Sequence, residues 1–168
     1  MKKKSLIRAT NRKGVRDKKV APAEARSGRL PEPALCERCG AIFSRRVWRR
    51  AGRVTVGILD RVKWTVCPAC KQSSRNEYLG RVVVRGSYVL DHEAAIRQRI
   101  ANVDAQARVT QPERRLVSVE RDGGVFEVLT TSQKLAHRIV HELKKAFRGR
   151  ALYKWSDDGS LFAIWERD

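Results

Sequence analysis

The sequence of 168 residues predicts an α+β chain in four parts. These are a basic disordered tail over 1–34, a cysteine-bearing β module over 35–90, a connecting helix over 91–112, and a ββαββ domain with an antiparallel sheet over 113–168. Three observations carry that division. Basic residues crowd the first 34 positions without an apolar pattern, two Cys-x-x-Cys pairs bracket short β-rich runs, and residues 113–168 alternate hairpin and helix signals.

The tail holds 11 Lys and Arg against 3 Asp and Glu. Leu6, Ile7, Val15, Val20 and Leu30 are too scattered to define a buried face, so the segment is expected to be disordered when free. "LPEP" closes it as an extended linker. Lys2, Lys3, Lys4, Arg12, Lys13, Lys18 and Lys19 are its candidates for contacting phosphates; a merely solubilising tail is the alternative. The start "MKKKS" is positive like the beginning of a signal peptide. No apolar stretch or small-residue cleavage site follows, and a cytoplasmic protein is expected.

In the second part, "VTV" and "VKWTV" are short β-rich runs and "EYLGRVVVRG" is a longer one bounded by Gly86. Cys36-Glu37-Arg38-Cys39 and Cys67-Pro68-Ala69-Cys70 stand 27 residues apart. Two such knuckles offer four thiolates to one tetrahedral ion, a closed soft-donor set that zinc favours. Gly40, directly after a ligand, permits the tight turn that aims backbone amides at sulfur. A zinc ribbon is expected, two β-hairpin knuckles clamping one structural Zn2+ through Cys36, Cys39, Cys67 and Cys70, with metal binding coupled to folding. Four cysteines fill every coordination position and leave none for a substrate. A redox dithiol is disfavoured by the second matched pair and by the lack of a surrounding βαβ pattern.

From Asp91, taken as an N-cap, Ile96, Ile100, Val103 and Ala107 recur at helical spacing, and Pro112 marks the end of this connector. "RRLVSVER" and "VFEVLTT" then read as strands joined at Asp122-Gly123-Gly124. A helix capped by Thr131 or Ser132 follows, with Leu135, Ala136, Ile139, Val140, Leu143 and Phe147 on one stripe, and Gly149 ends it. "ALYKWS" and "LFAIWERD" flank Asp157-Asp158-Gly159 as a second hairpin.

Charge decides the partner class. With 37 Lys plus Arg against 18 Asp plus Glu the net charge is +19. A compact chain repels itself at that charge, and nucleic acid is the usual partner that relieves it, because each neutralised phosphate releases counterions. An anionic membrane surface is the other candidate, but no apolar run approaches the roughly 20 residues needed to span a bilayer. Between the knuckles lie Arg45, Arg46, Arg49, Arg50 and Arg53, with Arg61 and Lys63 beyond and Asp60 as the only acid. The guanidinium fork suits phosphate because it binds in a bidentate manner. His137, His141, Lys144 and Arg148 line up opposite the apolar stripe of the last helix, either as a phosphate-contacting ridge or as an ordinary solvated face. Whether Trp48, Trp155 and Trp165 pack in cores or stack on RNA bases is open at this level.

Nothing calls for an enzyme. The order His137-x-x-x-His141-Glu142 is not the His-Glu-x-x-His of zinc proteases, no P-loop or Gly-x-Ser-x-Gly elbow exists, and the carboxylates are scattered. No small-molecule substrate is expected.

The second knuckle followed by "NEYLGRVVVRG" resembles the segment after a cysteine knuckle in the archaeal and eukaryotic adaptor family that binds and exports the large ribosomal subunit. "GGVFEVLTTSQKLAHRIVHELKKAF" looks like that family's strand-then-helix block, and "ALYKWSDDGSLFAIWERD" is similar to its closing hairpin. The likeness covers roughly residues 35–168 as spaced patterns, corresponding to the N-terminal half of the adaptors. The adaptors carry further cysteine pairs, a second metal site, more β domains and transport signals. Compact size without export signals fits a bacterial relative. The resemblance implies binding to the large ribosomal subunit or its RNA and does not imply export; of the family's site residues, only Cys36, Cys39, Cys67 and Cys70 carry over, as zinc ligands.

The expected function is that of a non-enzymatic zinc-ribbon protein docking on ribosomal RNA, of the large subunit, in assembly, quality control or idling. A zinc-ribbon DNA-binding regulator and an RNA-modifying enzyme with structural zinc are the alternatives.

Overall fold

A computed structural model describes residues 30–50, 52 and 55–168. Strands β1 (Ala34–Cys36), β2 (Ala41–Ser44), β3 (Val47–Arg50) and β4 (Lys63–Thr65) form a four-stranded sheet in the order β3-β2-β1-β4. Both β1–β2 and β2–β3 are antiparallel, and β4 runs parallel to β1. A single helical turn, α1 (Val56–Leu59), precedes β4. Helix α2 (Pro68–Ser74) starts directly after Cys67, so the second cysteine pair opens a helix where a hairpin knuckle was expected. Pro68 explains this: its ring presets a helical φ, and its missing N–H is one that the first helical turn leaves unpaired anyway.

The second sheet holds five strands in the order β6-β7-β5-β9-β8, comprising β5 (Gly80–Arg85), β6 (Leu116–Asp122), β7 (Val125–Thr130), β8 (Arg150–Trp155) and β9 (Leu161–Glu166). Two expectations change here. Strand β5, grouped by sequence with the cysteine module, is the central strand of this second sheet, and it runs parallel to β9, so the sheet is mixed and not antiparallel. The reason is burial. Val82 and Val84 are fully buried against the helices and Val83, on the other face, is buried at the centre of five strands, an apolar run that a small metal-held module cannot house.

Helices α3 (Ser87–Asp91), α4 (Glu93–Thr110) and α5 (Gln133–Phe147) complete the fold. The stretch expected as a connector is structural: Ile96, Ile100, Val103 and Ala107 of α4 join Leu135, Ile139, Val140 and Leu143 of α5 in one core with Val82, Phe126, Val128 and Trp165. Asp91 ends α3 and does not cap α4; His92 occupies the cap position, and its ring stacks on Tyr88 at 3.7 Å. Ser132 caps α5, its hydroxyl accepting from the Lys134 N–H at 3.2 Å. Gly86 allows the sheet to close: its φ is +120°, and a Cβ there would stand 1.9 Å from the Arg167 carbonyl oxygen. On the sheet face away from α5, Arg85 pairs with Glu166 and Arg81 with Glu127 across neighbouring strands. Among the described residues no helix is long and apolar enough to cross a membrane.

Candidate metal centre and basic surface

Cys36 ends β1, Cys39 lies in the β1–β2 turn, Cys67 follows β4 and Cys70 sits in the first turn of α2. The Gly40 N–H donates to the Cys36 carbonyl at 2.9 Å with Gly40 at φ +68°, which folds the first knuckle tightly. All four sulfurs lie within 4.8 Å of one another, with Cys36–Cys70 at 3.8 Å and Cys39–Cys67 at 3.7 Å. Those gaps are far beyond the roughly 2.05 Å of a disulfide. A tetrahedral ion holding four sulfurs at about 2.3 Å spaces them about 3.8 Å apart, so the set fits one ion. Three of the four cysteines are buried and Cys39 is exposed.

The thiols are electrostatically unequal. Burial alone would raise Cys36, but N–H groups of Cys67, Cys39 and Arg38 outweigh it and draw the thiol down to about 6. The Cys67 N–H reaches the Cys36 sulfur at 3.3 Å. Burial pushes Cys67 and Cys70 upward. Four clustered sulfurs, three of them on buried residues, hold negative charge together only with a cation among them, which is the condition a bound metal meets.

A residue that sequence reasoning missed completes the centre. Arg115, only 7% exposed, donates from Nη1 to the Cys70 sulfur at 3.2 Å and from Nη2 to Cys39 at 3.5 Å and Cys67 at 3.9 Å. Its Nε donates to the Pro112 carbonyl at 3.0 Å. Burial opposes its charge, yet the sulfurs of Cys39, Cys70 and Cys67 outweigh that and hold the guanidinium above its ordinary value. The Arg115 backbone is fixed in turn by Thr131, whose N–H donates to the Arg115 carbonyl at 3.0 Å and whose hydroxyl lies 3.1 Å from the Arg115 N–H. Thr131 sits between β7 and α5, so one arginine joins the sulfur cluster to the second sheet. No motif marks it: Arg114 and Arg115 are equivalent on paper.

The arginines after the first knuckle occupy the β2–β3 hairpin. Ser44 pairs with Val47, leaving Arg45 and Arg46 as a two-residue turn with φ of +52° and +62°. Glu32 accepts from the Arg46 N–H at 2.7 Å. Arg45, Arg46, Arg49 and Arg50 are all exposed. Arg49 and Arg50 line an open groove of about 440 Å³ with Arg114 and the C-terminal end of α4. Trp48, next to Arg49 in β3, also borders this groove but is only 4% exposed, packed in the core of the metal module with its ring 5.3 Å from Phe43. His137, His141, Lys144 and Arg148 are exposed along α5 and just past its end. Trp165 is fully buried and Trp155 is 55% exposed. Lys2, Lys3, Lys4, Arg12, Lys13, Lys18, Lys19 and Arg53 lie outside the described residues.

No family model, curated protein or solved structure matches the chain.

Proposed function

We propose that the chain is a non-enzymatic RNA-binding protein that uses one structural zinc ion to present a basic hairpin, and that it docks on ribosomal RNA of the large subunit. The observation that carries this reading is the Arg45–Arg46 turn. A two-residue hairpin with both residues at positive φ is cheapest as Asn-Gly. Side chains with a Cβ cost roughly 1–2 kcal/mol each in that conformation. Two exposed arginines are held there regardless, at the tip of the hairpin that the metal anchors. Strain concentrated under solvent-facing guanidinium groups points to a role for the groups themselves. Phosphate is the ligand their fork suits, and a net charge of +19 makes a polyphosphate the natural partner. Zinc is the ion that four thiolates in a closed tetrahedron favour, and about one per chain is expected by metal analysis. The choice of ribosomal RNA rests on the likeness of the knuckle, strand–helix and hairpin patterns to the large-subunit adaptor family.

The sharpest test separates stability from binding. The double variant Arg45→Asn, Arg46→Gly relieves the turn and is expected to melt higher than the parent while binding ribosomal RNA more weakly. Its salt dependence should flatten by about 0.7–0.9 in log–log slope for each phosphate that the variant no longer neutralises. Unchanged affinity in the more stable variant would remove the hairpin from the interface. Co-migration of the parent with large subunits on a gradient at low salt, and release at high salt, tests the partner. Tighter binding to duplex DNA than to ribosomal RNA would overturn that choice of partner.

A further inference from the structure

We infer that Tyr153 and Trp155 of β8, with His137 of α5, form a stacking platform for unpaired bases of single-stranded RNA, a second binding surface apart from the arginine hairpin. This deepens the RNA-binding reading and rests on it. Strand β8 is the outer strand of its sheet, paired to β9 alone. Ala151, Tyr153 and Trp155 alternate onto one face, opposite Trp165, Ala163 and Leu161 of β9, all buried against the helices. Ala151 packs on the core, but Tyr153 and Trp155 extend past its cover and remain 39% and 55% exposed. The His137 ring stands 5.0 Å from Tyr153 and 6.4 Å from Trp155, at interplanar angles of 31° and 30°. The His137 ring thus stands close to both strand rings, at about the same angle to each.

Burying large apolar side chains stabilises a fold by about 1.5–3 kcal/mol each, so rings left open on an edge strand are a liability unless something covers them. The surroundings choose the occupant. Lys134, His141 and Lys144 stand exposed along the same helix as His137, at spacings of three and four residues. Glu142, the acid within this stretch, faces Arg99 at 4.0 Å and His141 at 3.8 Å. Asp157 and Asp158 lie past Trp155 in the β8–β9 turn, where the Asp158 carboxylate accepts from the Ser160 N–H and hydroxyl. The Lys134 and Lys144 ammonium groups therefore put positive charge on the helix side of the rings, where a sugar-phosphate backbone would run while its bases lie over the rings. Aromatic faces beside a basic track are the arrangement by which sequence-tolerant single-strand binding works. An anionic membrane also attracts such residues, but it takes aromatic rings inserted by their apolar edge, and these are held side by side against an imidazole.

The test uses the intrinsic fluorescence of Trp155. Of the 4 tryptophans, Trp48 and Trp165 are buried and Trp64 is 60% exposed, so a Trp64→Phe background isolates the Trp155 response. Titration with oligouridylate should quench its emission. Trp155→Ala should weaken binding about five- to a hundredfold, with Trp155→Phe recovering part of the loss and the melting temperature of each nearly unchanged. Absent quenching and parental affinity in Trp155→Ala, with the Arg45/Arg46 variant still impaired, would overturn the platform and leave the RNA reading standing. Failure of the parent to bind any RNA would overturn both. A blue shift with phosphatidylserine vesicles and no response to oligouridylate would reassign the surface to a membrane.

Discussion

Cys67→Ser, or withdrawal of the metal by a strong chelator, is expected to unfold the four-stranded sheet. The core of that module consists of Cys36, Ala41, Trp48, Cys67, Ala69 and Cys70, with Phe43 and Val66 packed against it. Half of the buried members are the ligands themselves. What remains buried in that cluster is one tryptophan and two alanines, with Ala34, Leu35 and Val62 buried beside it, too little apolar area to offset the entropy of ordering three-residue and four-residue strands. A zinc ion held as proposed would supply about 10–16 kcal/mol of apparent binding energy at neutral pH, more than this core can replace. Trp48 reports the change directly: its emission should move to the red as it enters water, and strand signal should fall in circular dichroism. A metal-free chain with Trp48 still buried would show that packing alone holds the module.

Arg115→Met is the next largest expected effect. The substitution preserves much of the side chain's bulk but removes a buried charge facing three sulfurs and withdraws the donors from the Pro112 carbonyl. Removing one partner from a buried charge pair costs about 3–5 kcal/mol, because the other charge stays buried without its counterpart. The loss falls at the joint between the two sheets, so its signature is a change in cooperativity as well as in stability. The parent should melt in one transition, whereas the variant should show the metal module melting first and surrender its ion to a chelator faster. Arg115→Lys should recover little, since a single ammonium cannot reach Cys70, Cys39 and Pro112 at once. One transition at the parental temperature would mean that the arginine contributes no coupling.

Local elements were legible where one short stretch carries its own signal. The α5 stripe, its Ser132 cap and the Gly123-Gly124 hairpin all depend on residues within a few positions of each other, and the structure has each of them. Strand β5 was legible as a strand and illegible as to partner. Its neighbours β7 and β9 come from residues 125–130 and 161–166, and nothing in "GRVVVR" names them. Arg115 shows the same limit for the site. A buried arginine and an exposed one look alike in sequence, and only the approach of the β6 start to the cysteines separates Arg115 from Arg114. The tryptophans were divided in the same way: Trp48 and Trp165 lie under cover, whereas Trp155, on the same sheet face as Trp165, sits on the edge strand past the reach of that cover.

By itself the sequence determined the four-cysteine cluster, the excess of positive charge and the local run of strands and helices, because ligand spacing, charge count and periodicity are properties of neighbouring residues. Only the tertiary structure decided that the second sheet is mixed, that α4 belongs to its core, that Arg115 closes the metal centre and that Trp155 faces water. Those outcomes depend on long-range pairing, where many apolar partners are chemically equivalent and burial of the whole selects among them.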